Sequence, residues 1–196
     1  MKYNELLKFA VESKLNIFSI EDLMKLFPKE KEESIARLVY NWIESKKIIR
    51  LKRGLYQISY PEKTIIPDMY VANKLYSPSY ISLETVLSMH GIIPEIAISV
   101  TSVTTKATRF FKNDYGAFSY RTVKKEYFTG YYLFREKGFE IHIAEPEKAV
   151  VDFLYLNKLS EIDRADSKVM KGLSRKSLKK YADLMKVNIG GLYADL

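Results

Sequence analysis

Apolar residues at Leu6, Leu7, Ala10 and Val11 recur at helical spacing, which predicts a first helix from about Lys2 to Lys14. The pattern restarts in "FSIEDLMKLF". There Ser19 is the expected N-cap, and Glu21 and Asp22 fall in the first turn, where the helix dipole favours anions. Pro28 ends that short helix. The third segment, "KEKEESIARLVYNWIESKK", places Ile35, Leu38, Val39, Trp42 and Ile43 on one apolar stripe, with Ser34, Arg37, Asn41 and Glu44 on the other side. The period then drops from 3.6 to 2. "IIRL" and "LYQIS" read as two short strands joined through Lys52, Arg53 and Gly54.

The segment "YPEKTIIPD", with two prolines and no periodicity, reads as a linker over 61–68. It separates a domain of residues 1–60 from one of residues 69–196. In the second, "YVANKLYSPSYISLETVLSMHGIIPE" predicts two helices divided by a Ser-Pro turn, with Gly91 as C-cap. "IAISVTSVT", "GAFSYRTV", "GYYLFRE" and "FEIHIAE" carry the aromatic and β-branched residues of strands. "PEKAVVDFLYLNKL" predicts a helix with Pro146 in its first turn, and "SRKSLKKYADLMKV" another, capped by Ser174. The expected fold class is therefore α+β: a small N-terminal helical unit with a hairpin, then a mixed α/β C-terminal domain.

Three helices followed by a two-stranded hairpin within about 60 residues is the plan of a winged helix-turn-helix. In that plan the third helix enters the DNA major groove and the hairpin turn, the wing, lies along the backbone. Charge fits. The 196 residues carry a net +8, and the stretch from Arg37 to Arg53 gathers Arg37, Lys46, Lys47, Arg50, Lys52 and Arg53 against Glu44 alone. Such cations neutralise phosphates and release counterions. Arginine and asparagine on the third helix are able to make bidentate contacts to guanine and adenine edges. The expected DNA-contacting residues are accordingly Ser34, Arg37, Asn41, Lys46, Lys47, Arg50, Lys52 and Arg53. Glu30, Glu32 and Glu33 at the helix start suit its dipole but repel phosphates, which counts against base readout from that end.

Other chemistry is thinner. No cysteine is present, which removes disulfides and thiolate metal sites. His90 and His142 stand far apart without ligand spacing, and a buried, hydrogen-bonded helix-end role is expected for His90. "EPEK", Glu145 to Lys148, has the carboxylate-then-lysine order of some nucleases, but Glu147 and Lys148 fall in a first helical turn. No phosphate-binding loop, nucleophile elbow or zinc-protease signature occurs, and neither enzyme activity nor a cofactor is expected. The aromatic run from Phe110 to Phe134 reads as cross-strand packing before a stacking platform for single strands. In the last helix Arg175, Lys176, Lys179 and Lys180 oppose an apolar side of Leu178, Tyr181, Leu184 and Met185. They form a candidate surface for an acidic partner. No apolar run approaches the roughly 20 residues of a membrane span, and the charged N-terminus lacks a signal-peptide core, so a cytoplasmic protein without membrane contact is expected.

The order "RGLYQI", "SPSYISLETVLSMHGIIPE", "ISVTSVTTK", "GAFSYRTV", "IAEPEKAVVDFLYL" resembles that of the AbiEi antitoxins, in their streptococcal type, of bacterial type IV toxin–antitoxin and abortive-infection (phage-defence) systems. The resemblance covers nearly the whole chain. It implies an N-terminal domain that binds inverted repeats in its own promoter and represses transcription. It also implies a C-terminal domain that counters a nucleotidyltransferase-like AbiEii toxin without needing a stable complex, and it assigns no catalytic residue. The alternative of a different class is a nucleic-acid-processing enzyme, with a nuclease-like C-terminal domain targeted by the winged helix.

Overall fold

A computed structural model describes residues 2–13 and 15–190. They divide into two compact units, residues 1–66 and 67–196, so that the chain passes from one to the other inside the proline-containing segment 61–68.

In the first unit, helix α1 (Tyr3–Ser13) leads into a short strand β1 (Ile17–Ser19), which the hydrophobic pattern does not announce. Lys14, the expected end of α1, lies outside the described residues. Helix α2 (Ile20–Leu26) starts on a capping box: the Ser19 hydroxyl accepts from Asp22 N, and the Asp22 carboxylate accepts from Ser19 N. Helix α3 (Glu32–Glu44) is shorter at both ends than the charged run around it. Strands β2 (Ile48–Lys52) and β3 (Leu55–Ile58) form the hairpin, and β1 joins the far side of β3 to complete a three-stranded antiparallel sheet. Three residues are too few to show alternation, which is why β1 was not legible.

The core of this unit gathers Tyr3, Leu6, Phe18, Leu23, Ile35, Val39, Trp42, Ile48 and Tyr56. Every element contributes, so losing one large side chain such as Leu6, which is completely buried, is expected to cost about 2–5 kcal/mol. The Tyr3 hydroxyl stands 2.7 Å from Lys47 O and 2.6 Å from Tyr60 O, and its one proton is shared between them. Helix α1 is thereby tied to both ends of the hairpin.

The second unit is built on a six-stranded mixed sheet in the order β6-β7-β5-β4-β9-β8. Its strands are β4 (Ser79–Ile81), β5 (Val100–Thr104), β6 (Arg109–Asn113), β7 (Gly116–Thr122), β8 (Tyr131–Glu136) and β9 (Phe139–Ala144). Helices α4 (Asp68–Leu75), α5 (Glu84–Met89), α6 (Pro146–Asn157), α7 (Ser167–Gly172) and α8 (Arg175–Met185) complete it. Pairs β5–β7 and β4–β9 are parallel, the others antiparallel. All five residues of β5 are buried, as befits a central strand.

Three expectations need correction. The segment read as two helices around a Ser-Pro turn holds a central strand, β4, between α4 and α5; its three residues are all buried and therefore carry no alternation. The strand expected from Ile96 begins only at Val100, and Ile96 and Ile98 are 88% and 99% exposed. The aromatic run includes an additional edge strand, β6, whose pattern is mostly exposed.

At the centre of this unit lies a buried polar cluster. Lys148 and Asp152, one turn apart on α6 and both fully buried, form a direct ion pair. Tyr80 and Ser82 each donate to Asp152 Oδ2 at 2.9 Å, and Lys148 Nζ donates to the Tyr80 hydroxyl at 2.9 Å. Burial pushes the Lys148 ammonium down and the Asp152 carboxyl up, and their mutual attraction works against both shifts. Gly130, at φ +75°, passes so close that a Cβ there would stand 2.8 Å from the Tyr181 ring and 2.9 Å from Lys148 Cγ.

Candidate nucleic-acid interface

The hairpin turn is tighter than the sequence suggested. Lys52 still pairs with Leu55, so the loop is Arg53–Gly54, and Gly54 supplies the positive φ of +79° that the reversal needs. One residue earlier the register slips: Arg50 pairs with Tyr56 and Lys52 with Leu55, leaving Leu51 as the extra residue of a bulge. Leu51 is buried and Arg50 exposed, so the bulge re-aims a strand that would otherwise alternate regularly. Arg50 and Arg53 are exposed and Lys52 is half-buried.

The turn from α3 into β2 contributes differently. Lys46 takes a left-handed conformation, φ 55°, and is exposed. Lys47 is drawn inward: its ammonium stands 5.2 Å from the centre of the Tyr3 ring, a cation–π contact that leaves it half-buried. Among the described residues, Arg37, Lys46, Arg50 and Arg53 make no ion pair.

Along α3 the core stripe is Ile35, Val39 and Trp42. Arg37 and Asn41 are exposed on the opposite side, whereas Ser34 is half-buried at its margin. The exposed side also carries Tyr40, 62% exposed, which was not among the residues expected at the interface. The signal was available: Tyr40 lies one residue off the Ile35–Val39–Trp42 stripe, so helical periodicity alone sends it to solvent. Unit 1 thus presents Arg37, Tyr40 and Asn41 on a helix, and Lys46, Arg50, Lys52 and Arg53 around the hairpin that follows it.

The second basic surface is on α8. Arg175, Lys176, Lys179 and Lys180 are all exposed, opposite the buried Leu178, Tyr181, Ala182 and Met185. Leu184, expected on the apolar side, is 38% exposed. Arg175, Lys176 and Lys179 line one wall of a shallow groove whose other wall is Val187, Asn188, Ile189 and Gly190.

The "EPEK" residues are engaged structurally. Glu145 accepts from the Tyr181 hydroxyl at 2.8 Å, Glu147 accepts from Ser174 N at 2.8 Å, and Lys148 belongs to the buried cluster. Placing Glu147 and Lys148 in the first turn of α6 was correct, but Lys148 is inside, and nothing in its sequence neighbourhood except Asp152 at i+4 announced that. His90 caps α5 as a partly buried residue, yet its buried Nε2 has no hydrogen-bond partner among the described residues, contrary to expectation. His142 is exposed on β9. No helix among the described residues is long and apolar enough to cross a membrane.

A scan against protein-family models finds no match for this chain, and a search of curated proteins finds none either.

Proposed function

We propose that this chain is a DNA-binding autorepressor and antitoxin of the type IV class, in which residues 1–66 act as a winged helix-turn-helix. One observation carries the DNA-binding half. An amphipathic third helix exposing Arg37 and Asn41 is followed at once by a hairpin whose exposed Arg50 and Arg53 have no acidic partner among the described residues. Cations left unneutralised around a turn can meet phosphates without breaking an internal ion pair. On this reading the hairpin is the wing, Lys46, Arg50, Lys52 and Arg53 hold the duplex backbone, and α3 faces the major groove. Lys47 works from inside, through Tyr3, and steadies the base of the wing.

The antitoxin half rests on the resemblance to AbiEi proteins. On that reading residues 67–196 counter an AbiEii-type toxin, with the α8 face of Arg175, Lys176, Lys179 and Lys180 as the candidate surface. The DNA target is an inverted repeat upstream of the chain's own operon, and the protein works in the cytoplasm.

The test is a gel shift of the full chain on its own upstream DNA at physiological salt, against scrambled competitor. Retention that scrambled DNA fails to displace supports the autorepressor. Equal displacement leaves only a basic surface and ends that reading. Co-expression of the full chain with an AbiEii-type toxin tests the other half: restored growth supports it and continued toxicity overturns it.

A further inference from the structure

The six-stranded sheet ends on β6 at one side and on β8 at the other. An edge strand carries a row of backbone N–H and C=O groups that no neighbouring strand satisfies, and folded proteins usually guard it with cations, proline, a bulge or brevity. Strand β6 is guarded. Two of its five residues, Arg109 and Lys112, are exposed cations that make no ion pair among the described residues, and it carries no carboxylate. Strand β8 lacks these devices. It runs for six residues without proline, and its register with β9 is unbroken over six pairs. Its one cation, Arg135, is taken by Glu140 of β9 at 2.7 Å. In the middle of this edge Leu133 is 54% exposed, and beside it Tyr132 is 39% exposed.

The order of side chains along β8 is complementary to itself. Alternation puts Tyr131, Leu133 and Arg135 on one face and Tyr132, Phe134 and Glu136 on the other. When two identical strands pair antiparallel about a two-fold axis, opposed residues must lie on the same face, so the axis passes through a residue and not between two. An axis on Leu133 sets the exposed leucine against itself. Tyr132 then opposes Phe134 of the second copy, twice over, and such aromatic cross-strand pairs are stabilising. Tyr131 opposes Arg135 of the second copy, ring beside guanidinium, and Gly130 leaves room opposite Glu136. Like charges nowhere face each other. Moving the axis to Phe134 would set Leu133 against Arg135 and Tyr132 against Glu136. Moving it to Tyr132 would set Gly130 against Phe134 and Thr129 against Arg135.

We propose that unit 2 pairs with a second copy of this chain along β8, antiparallel and in register on Leu133, so that two six-stranded sheets join into one continuous sheet. The pairing gives the outward backbone groups of β8 their partners and covers Leu133 and Tyr132 together. It does not rest on the DNA-binding reading.

Sedimentation equilibrium of the full chain is expected to show the mass rising from 22.8 kDa toward twice that value as the protein is concentrated to about 0.5 mM. Leu133→Lys and Leu133→Glu each put two like charges on the axis and are expected to stay monomeric, whereas an equimolar mixture of the two recovers the dimer. Recovery in the mixture, with circular dichroism of each variant, separates lost pairing from lost folding. The chain has no cysteine, so Leu133→Cys introduces its single thiol. Across the axis the two Cα atoms stand about 4.5–5.5 Å apart, within disulfide reach, while Arg135 and its copy lie about 14 Å apart along the strand. Oxidation with diamide is therefore expected to cross-link Leu133→Cys into a dimer on a non-reducing gel and to leave Arg135→Cys largely monomeric. A wild-type chain that keeps a mass of 22.8 kDa throughout overturns the proposal. So does a dimer that survives Leu133→Lys, a mixture that stays monomeric, or a thiol at position 135 that cross-links as well as one at 133.

Discussion

Replacing Lys148 by methionine removes a fully buried ammonium and leaves the Asp152 carboxylate facing only the hydroxyls of Tyr80 and Ser82. Breaking a buried pair from one side typically costs about 3–5 kcal/mol, because the surviving charge has no solvent to return to. Against a usual domain stability of about 5–15 kcal/mol, that is a large fraction. Removing both charges, as Lys148→Met with Asp152→Leu, also deletes the charge left behind. The gain is offset by two orphaned hydroxyls at about 1–3 kcal/mol each, so the double variant should recover much of the loss and stop short of a net gain. Urea unfolding of the full chain measures this through tyrosine near-ultraviolet circular dichroism. Tryptophan fluorescence is unsuitable as the probe, since Trp42, the single tryptophan, lies in the other unit. The pH dependence follows in sign. With its cation gone, Asp152 has a folded-state pKa above its unfolded value near 3.9, so its penalty is complete above the folded pKa and disappears as pH falls toward the unfolded one. Lys148→Met should therefore approach wild-type stability on acidification. A single variant costing less than about 1 kcal/mol, or a double variant no more stable than either single, would refute the account of the cluster.

Changing Arg50, Lys52 and Arg53 together to alanine should leave the unfolding midpoint nearly unchanged. The slope of log K against log salt should shrink by about 0.9 for each phosphate no longer neutralised, and an unaltered slope in a binding titration removes the wing from the interface. Gly130→Ala places a methyl against Tyr181 and Lys148 at a positive φ, and a loss of about 2 kcal/mol or more in urea unfolding is expected; a loss under about 0.5 contradicts the close approach. Burial raises the hydroxyl pKa values of Tyr80 and Tyr120 above the unfolded value near 10. Their stabilisation is thus complete below pH 10 and declines above it by about 1.4 kcal/mol per pH unit for each. A stability flat from pH 9 to 11 rejects this, and Tyr120→Phe should show the shallower decline.

What could be read from the chain beforehand followed the physics of each element. Helices with one apolar stripe and a chemical cap were legible: the Ser19 and Ser174 caps both accept backbone hydrogen bonds as their positions implied. Short elements were not. Strand β1 has three residues and β4 has three buried ones, so neither offers a period to recognise, and only their partners in the sheet define them. The hairpin's cations were visible as charge at a turn, whereas the bulge that turns Leu51 inward and Arg50 outward arises from pairing with β3. Lys47, expected at the interface, is half-buried over the Tyr3 ring, while Tyr40, given no role beforehand, is exposed as its place on the helix implied. A lysine beside an aromatic ring is drawn in, and a tyrosine off the core stripe is left out. The buried Lys148–Asp152 pair had a helical spacing but no polarity signal, because a charged residue inside looks the same in sequence as one outside.

The join between β4 and β9 has a mechanical meaning. Their register consists of one residue pair, Ile81 with Ile143, while β5 and β7 match over five and β8 and β9 over six. Next to it, the side-chain amide of Asn73 does what a missing strand residue would do: His142 N donates to its oxygen at 2.6 Å, and its nitrogen donates to His142 O at 3.4 Å. Pulled across its strands, the sheet therefore has a fault line. Tension on β9 away from β4 is borne, in backbone pairing, by that one residue pair and a clip made from a single asparagine, so rupture starts there and leaves a hairpin of β8 and β9 on one side and four strands on the other.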